Sequence, residues 1–450
     1  MSPGPAGARE VLGHPRGLFL LFATEAWERV QYYGMRAFLV LFLVDRVHGL
    51  GWRDARALSF YGWYTGLSYL STVAGGWAAD RFLGQRRAVV IGGTLMVAGQ
   101  LLCALKREPL LFLGTALLIV GNGGFKANIS TMVGQLYRAG DARRDAAFTI
   151  FYMGINLGAA VGPLLCGTLA EEIDWSLGFA SAGLGMAVGV GVFAALRGRL
   201  LDADVGAAPP SPVAAARSVP GRSPLTAEQR DRVVVIVVLT FFVSIFWAGY
   251  EQGGGLMNLF TDRSLDRHLL GHEIPTTWFQ AVNPAFIFLL GPVFAWAWPR
   301  LAARGRDPST GRKMALGLLL LALSFVLLFL AARRAAVVGR VGMSWMVAAY
   351  LLQTLGELVL APVGLSMVTK LAPERYGSAL MGVWFLSNGA GNVLAGAIGA
   401  LAEGHGDAAV FGGIAIGSAV AGAVLFLLAP GLQRMTHGAE DVVPAAPAIA

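Results

Sequence analysis

The chain has 450 residues, of which 56% are hydrophobic and only 14% charged, against about 25% charged in an ordinary soluble domain. Its formal net charge of +8 is spread over short loops between apolar runs and forms no single basic stripe, which argues against a nucleic-acid binder and for topology as the cause. The two cysteines, Cys103 and Cys166, sit inside apolar runs at a spacing that fits neither a disulfide framework nor a metal site, so they are expected to be packing residues and no metal is implied.

Apolar runs long enough to cross a membrane, about 20 residues each, begin near residue 17 and recur almost to residue 433. In chain order they are expected near 17–44, 57–79, 87–105, 110–136, 145–170 and 176–197, then near 233–260, 276–299, 311–332, 342–371, 377–402 and 408–430. This predicts an all-α polytopic membrane protein with twelve transmembrane helices; the roughly ten-residue alternation of a β-barrel is absent. Basic residues precede the first run, but that run is long and itself charged, so no cleavable signal peptide is expected. The domains are therefore 1–197, a six-helix bundle; 198–232, a cytoplasmic linker rich in Ala, Pro, Ser and Arg that is expected to be flexible; 233–433, a second six-helix bundle; and 434–450, a tail. The linker's end, SPLTAEQRDR, is expected to form a short amphipathic helix feeding the seventh span, with Thr226 or Ser223 as its cap. Loops on the side of the termini hold about twice the Lys and Arg of the opposite side, which puts both termini in the cytoplasm. The acidic EEID at 171–174 then lies on the outer side, as topology prefers. Two halves of six spans match the architecture in which bundles rock about a central site near the membrane midplane.

Seven ionisable side chains fall within these spans: Glu25, Glu28, Arg29, Arg36, Lys126, Glu251 and Glu357. Each costs at least ~2.5 kcal/mol at a bilayer centre, so each faces a cavity, pairs with another, or lies near the membrane edge. On a helix turning about 100° per residue, Glu25, Glu28, Arg29, Tyr32 and Arg36 share one face of EAWERVQYYGMR, while Phe, Leu, Val and Ala occupy the other. That pattern favours a helix lining a central aqueous cavity; structural ion pairing remains the alternative. Lys126, in GNGGFKANIS, has no acid within a turn, and Glu251 in FWAGYEQGG and Glu357 in LGELVLAPVG are equally isolated. Cross-half ion pairs between these cations and acids would be natural gates. Four acids against three bases leave one net negative charge that a single bound proton would neutralise.

EAWERVQYYGMR resembles the ExxERFxYYG signature of the proton-dependent oligopeptide transporters of the major facilitator superfamily, and FYMGINLGAAVGP resembles that family's fifth-helix signature. GGWAADRFLGQRR resembles the superfamily's loop motif, whose Asp80, Arg86 and Arg87 would bind helix ends and neighbouring backbone; plain topological charge reads the same. Further matches, among them YLSTVAGGWAADRFLG, WFQAVNPAFIFLLGPVFAW and GVWFLSNGAGN, run in the family's order from residue 25 to about 392. The resemblance implies a major facilitator fold around a central cavity, and a proton-coupled symporter of di- and tripeptides with protons as coupling ion and no cofactor. It implies that Glu25, Glu28, Arg29 and Glu251 serve proton coupling, that Arg36 and Lys126 receive the peptide carboxylate, and that Glu357 meets its amine. Arg36 with Glu251 and Lys126 with Glu357 would be gating pairs. Tyr32, Tyr33, Tyr69, Asn156 and Asn283 would contact the peptide backbone or termini, and Trp247, Trp384 and Phe385 would shape side-chain pockets. Taken alone, the two asparagines fit interhelical hydrogen bonds and the tryptophans fit plain packing. Two departures stand out: Val30 replaces the signature's Phe, and residues 198–232 are too short and polar for the two extra helices that many bacterial members carry.

The same fold carrying nitrate, a drug-like compound or a peptidomimetic is the alternative; two cations opposite an acid suit a zwitterion better. An integral membrane enzyme is not expected, since all six histidines (His14, His48, His268, His272, His405 and His437) lie outside the spans and no HExxH occurs. The expected setting is the lipid bilayer of the inner membrane, as a monomer.

Overall fold

A computed structural model describes residues 10–138, 141, 143–202, 204–207, 225–373 and 376–439. Ser223, much of the linker and most of the 434–450 tail lie outside the described residues. The helices are α1 (Arg16–Val44), α2 (Asp54–Ala78), α3 (Gln85–Cys103), α4 (Glu108–Gln135), α5 (Arg143–Gly162), α6 (Thr168–Glu172), α7 (Trp175–Leu200), α8 (Ala227–Tyr250), α9 (Leu256–Ser264), α10 (Val282–Ala303), α11 (Thr310–Val338), α12 (Ser344–Leu371), α13 (Gly377–Ala400), α14 (Ala402–His405) and α15 (Asp407–Met435). Apart from the short α6, α9 and α14, these are the twelve expected spans. Among the described residues, ten helical stretches are long and apolar enough to cross a membrane on composition alone; α1 is too charged and α2 too rich in Ser, Thr, Tyr and Gly to qualify. Apolar side chains such as Ile91, Val120, Leu184, Phe241, Ile416 and Leu427 are exposed on these helices, a surface suited to hydrocarbon rather than water.

Contacts divide the chain into two compact units, one of Met1–Ala57, Leu67–Val219 and Leu269–Pro284, the other of Leu58–Gly66, Pro220–His268 and Ala285–Ala450. In lipid, helices associate by close packing and hydrogen bonds rather than by the hydrophobic effect, so small residues mark their seams. In the first unit α3 and α4 meet at Gly92 with Gly121 and at Gly99 with Gly114; a Cβ on Gly121 would stand 2.5 Å from the Gly92 carbonyl and one on Gly99 2.6 Å from that of Gly114. Seven residues separate the two contacts on each helix, two turns, so one glycine face of each helix forms the seam. Phe38 and Phe42 of α1 pack edge-on against Phe179 of α7, at 4.8 and 5.2 Å between ring centres. In the second unit Gly62, within Leu58–Gly66, meets Gly396 of α13, and Gly317 meets the Gly356 carbonyl.

Helical geometry changes where the sequence breaks it. Pro163 cannot donate a ladder hydrogen bond, and Pro163–Gly167 widens into a π turn between α5 and α6. Glu251–Gly254 tightens into a 3-10 turn between α8 and α9. Thr226 caps α8 in a reciprocal box with Gln229, and the expected short feeder helix is continuous with the seventh span, because nothing between Ala227 and Tyr250 interrupts the helical ladder. The start of the linker is not loose. Leu201 and Val205 are buried; Arg86 donates to the Val205 carbonyl at 2.5 Å and to that of Asp202, and Gln135 accepts from the Gly206 amide at 2.7 Å. The loop-motif arginine thus binds backbone, and the backbone it binds is the linker's own.

At the start of α7 Asp174 accepts from the Ser176 amide at 2.8 Å and pairs with Lys106 at 2.7 Å. The hydrogen bond from Lys106 holds its carboxyl below the usual range against a smaller opposing effect of burial. A lowered native value means stabilisation present above the ordinary carboxylate range and lost as pH falls through the lowered value. Asp174→Ala should cost about 1 kcal/mol as a lost cap; in thermal melts the gap from the parent should be present at pH 7 and close on acidification towards pH 3. Gly121→Ala should abolish monodisperse protein on size-exclusion chromatography, while Gly191→Ala, where a Cβ meets nothing within 4 Å, should be tolerated.

Candidate functional site

The site begins with how α1 is seated. Gly154, Gly158 and Gly162 recur every four residues on α5 and form a groove: Gly154 faces Phe22, Gly158 faces the Arg29 Cβ and the Ala26 carbonyl, and Gly162 faces Gly34. A side chain on Gly158 would displace the very turn that carries the charges, which gives the fifth-helix glycines of GINLGAAVG a physical purpose.

Within that turn the Arg29 Nε lies 3.2 Å from Glu25, and the guanidinium also binds Glu28. Exposure is 1% for Glu25, 0% for Glu28 and 1% for Arg29. From the sequence the whole polar stripe is expected to look onto water; in the structure Tyr32 and Arg36 are buried along with Glu25, Glu28 and Arg29, and α5 packs at backbone distance over Arg29. Two carboxylates share one cation, so the cluster is one charge short of neutral when both are ionised. Moving charges out of water costs several kcal/mol each unless they are paired and hydrogen-bonded.

Beyond the triad, rings and cations alternate. The Arg29 guanidinium stands 5.1 Å from the Tyr32 ring and 6.0 Å from that of Tyr33, and Arg36 lies 5.7 Å from Tyr33. The Lys126 ammonium is 4.7 Å from the Tyr69 ring and 6.0 Å from Tyr32. Ring faces attract cations, so Tyr32 and Tyr33 let three cations of the first unit stand near one another. Asn156 donates to the Tyr152 carbonyl of its own helix at 3.0 Å, and Asn283 is half-buried at the start of α10.

In the second unit Glu251 is 3% exposed and opens the 3-10 turn, with Gly253, Gly254 and Gly255 just after it. Glu357 accepts from the Tyr250 hydroxyl at 2.7 Å. Tyr250 in turn stacks on Phe246 at 5.7 Å and meets Trp247 edge-on at 5.2 Å, and Trp247 is backed by Gly391. Trp384 is buried against Gly364, whereas Phe385 is exposed. The candidates thus form two sets: Glu25, Glu28, Arg29, Tyr32, Tyr33, Arg36, Tyr69, Lys126, Asn156 and Asn283 in the first unit, and Trp247, Glu251, Glu357, Trp384 and Phe385 in the second. Each expected gating pair, Arg36 with Glu251 and Lys126 with Glu357, has one member in each unit. Tyr250 carries no signal of its role in the sequence: it sits beside Glu251, but nothing in spacing shows that its hydroxyl serves Glu357, 107 positions away.

Removing Arg29 leaves two buried carboxylates without their cation, a loss of about 3–5 kcal/mol by analogy with broken buried pairs. Arg29→Ala should therefore collapse folded yield in membranes, while Glu25→Gln, which keeps the Arg29–Glu28 bond, should be recovered near parental levels; fluorescence-detected size-exclusion chromatography reads both.

The family model described as "POT family" matches residues 86–202 and 213–410. The chain is 36% identical to the peptide transporter YePEPT of Yersinia enterocolitica, over 98% of this chain and 98% of that protein. It is 34% identical to a di-/tripeptide transporter of Lactococcus lactis subsp. cremoris, over 84% of this chain and 87% of that one. Among solved structures, a peptide transporter POT in complex with alafosfalin superposes with a TM-score of 0.88 at 38% identity, covering 95% of this chain and 97% of that one. A POT family transporter in complex with 5-aminolevulinic acid gives 0.87 at 29% identity, covering 94% and 98%.

Proposed function

The chain belongs to the POT family, and from that membership we propose that it carries di- and tripeptides into the cell, together with protons, by alternating access of its two halves. As in the relatives named for peptide transport, the cargo would be a zwitterion. Arg36 and Lys126 receive its carboxylate through charge-assisted hydrogen bonds, and Glu357 takes its ammonium, exchanging the Tyr250 hydroxyl for a stronger, charged donor. Tyr32, Tyr33, Tyr69, Asn156 and Asn283 contact the peptide backbone or termini, and Trp247, Trp384 and Phe385 shape the side-chain pockets. Arg36 with Glu251 and Lys126 with Glu357 close the outer and inner ends in turn. The protein sits in the inner membrane as a monomer with both termini in the cytoplasm.

The observation that carries the coupling is the enclosed Glu25–Arg29–Glu28 cluster. A buried cluster holding two acids and one base is neutral only with one proton bound, so proton occupancy and the electrostatic state of α1 are linked. Because Tyr32 and Tyr33 join Arg29 to Lys126 and Arg36, a change in the cluster's charge is felt where the carboxylate binds. Glu251, at the break between α8 and α9, supplies the second half's protonatable group. The transport cycle then needs both ligands: the proton to neutralise the cluster, and the peptide to satisfy the cations.

Reconstitution into liposomes with an imposed inward proton gradient tests this. Di-alanine should accumulate against its gradient, and Glu25→Gln and Glu28→Gln should lose accumulation by at least tenfold while keeping exchange of pre-loaded peptide. Accumulation that survives collapse of both the proton gradient and the membrane potential would refute symport.

A further inference from the structure

Glu171, near the end of α6, belongs to the EEID stretch whose charge topology alone explains. The structure gives it a specific task. One carboxylate oxygen accepts from the Thr276 amide at 2.8 Å and the other from the Thr277 amide at 2.8 Å. These amides open the 3-10 turn Thr276–Ala281 that leads into α10, where backbone N–H groups have no partner within the turn. Both threonines are fully buried. Two flanking bonds hold the same turn: the Trp278 indole donates to the Thr168 hydroxyl at 2.8 Å, and the Gln280 side-chain amide to the Ala37 carbonyl of α1 at 3.3 Å. Gly167, in the π turn, clears the space for Thr277, since a Cβ there would stand 2.5 Å from the threonine Cβ.

Residues 276–281 belong by sequence to the second half and Glu171 to the first, yet they pack in one unit, at the end where α1 finishes. The bonds joining them are hydrogen bonds whose donors and acceptors water can satisfy on separation, and opening would uncover Thr276 and Thr277, which are fully buried in this structure. We infer that Glu171 is a positioning residue of the outer gate, clasping the entry to α10 against the first half while the pathway is closed to the outside and releasing it when that side opens. This rests on the alternating-access function proposed above. It adds a group that no motif marks, and one that acts through the backbone of its partner, so the two hydrogen bonds of the latch do not use the side chains of residues 276 and 277.

The test uses the full-length protein in nanodiscs, without peptide or gradient. In a Cys103→Ala, Cys166→Ala background, Thr277→Cys reports opening through its rate of reaction with a water-soluble maleimide. Glu171→Ala, and Glu171→Met, which keeps bulk but removes both acceptors, should raise that rate on the order of tenfold, the effect of losing charge-assisted hydrogen bonds. Glu171→Asp should restore most of the protection, and the melting temperature should stay near that of the parent. If a folded Glu171→Ala or Glu171→Met variant labels at the parental rate, the latch is refuted; so it is if labelling rises equally in Glu171→Asp, which marks a merely structural loss. Since labelling needs no substrate, a negative result alongside intact di-alanine accumulation counts against the latch alone, and positive labelling without proton-driven uptake counts against symport alone.

Discussion

The fold depends on one arrangement: a guanidinium held between two carboxylates on α1, at a turn seated against the glycines of α5. Arg29, Glu25 and Glu28 are sealed from solvent, and such charges persist in a membrane protein only where partners are within bonding distance. Gly158 permits that seating, because the Arg29 Cβ occupies the place where its own side chain would be. The charged turn and the glycine groove are therefore one device written in two distant motifs. Neither has a purpose without the other.

Around this device, the polar groups are graded from enclosed to half-open. Tyr32 and Tyr33 extend the triad's influence outward by placing ring faces against Arg29, Arg36 and Lys126. Tyr250 performs a comparable service for Glu357 in the other unit, offering it a neutral hydroxyl donor. The irregular turns lie beside these groups: the π turn follows the glycine groove of α5, and the 3-10 turn carries Glu251 itself. Such local departures from α geometry are frequent at hinges and functional sites.

Polar groups away from the centre hold ends of elements. Arg86 and Gln135 tie down the linker's first residues, Asp174 starts α7 while pairing with Lys106, and Asp45 at the close of α1 accepts from the Trp175 indole at 2.7 Å. For Arg86, a loop charge that topology would explain is also bound to backbone acceptors. The two explanations coexist, since the positive-inside bias acts on where a loop lies and the hydrogen bond on what the loop does once there.

The twelve helices were legible in the sequence because hydrocarbon thickness sets helix length and composition locally, residue by residue, although the expected spans 233–260 and 276–299 run across 3-10 turns at Glu251–Gly254 and Thr276–Ala281. The polar stripe of α1 was legible for the same reason: a 3.6-residue period needs no partner to be seen. What the period could not reveal is that the stripe is enclosed, since that depends on elements such as α5, more than a hundred residues away. The pairing of Tyr250 with Glu357, the capture of Asp202 and Val205 by Arg86, and the clasp of Glu171 on the amides of Thr276 and Thr277 are likewise contacts between segments with no shared sequence signal. In the last two cases one partner is main chain, which every residue has and no motif displays. Sequence determined the membrane class, the order of spans and the set of ionisable groups within them, because those follow from the cost of placing each residue in lipid. Tertiary structure alone decided which of those groups are sealed from solvent and which side chains of other helices they meet, because that follows from the close approach of helices at glycines whose partners lie elsewhere in the chain.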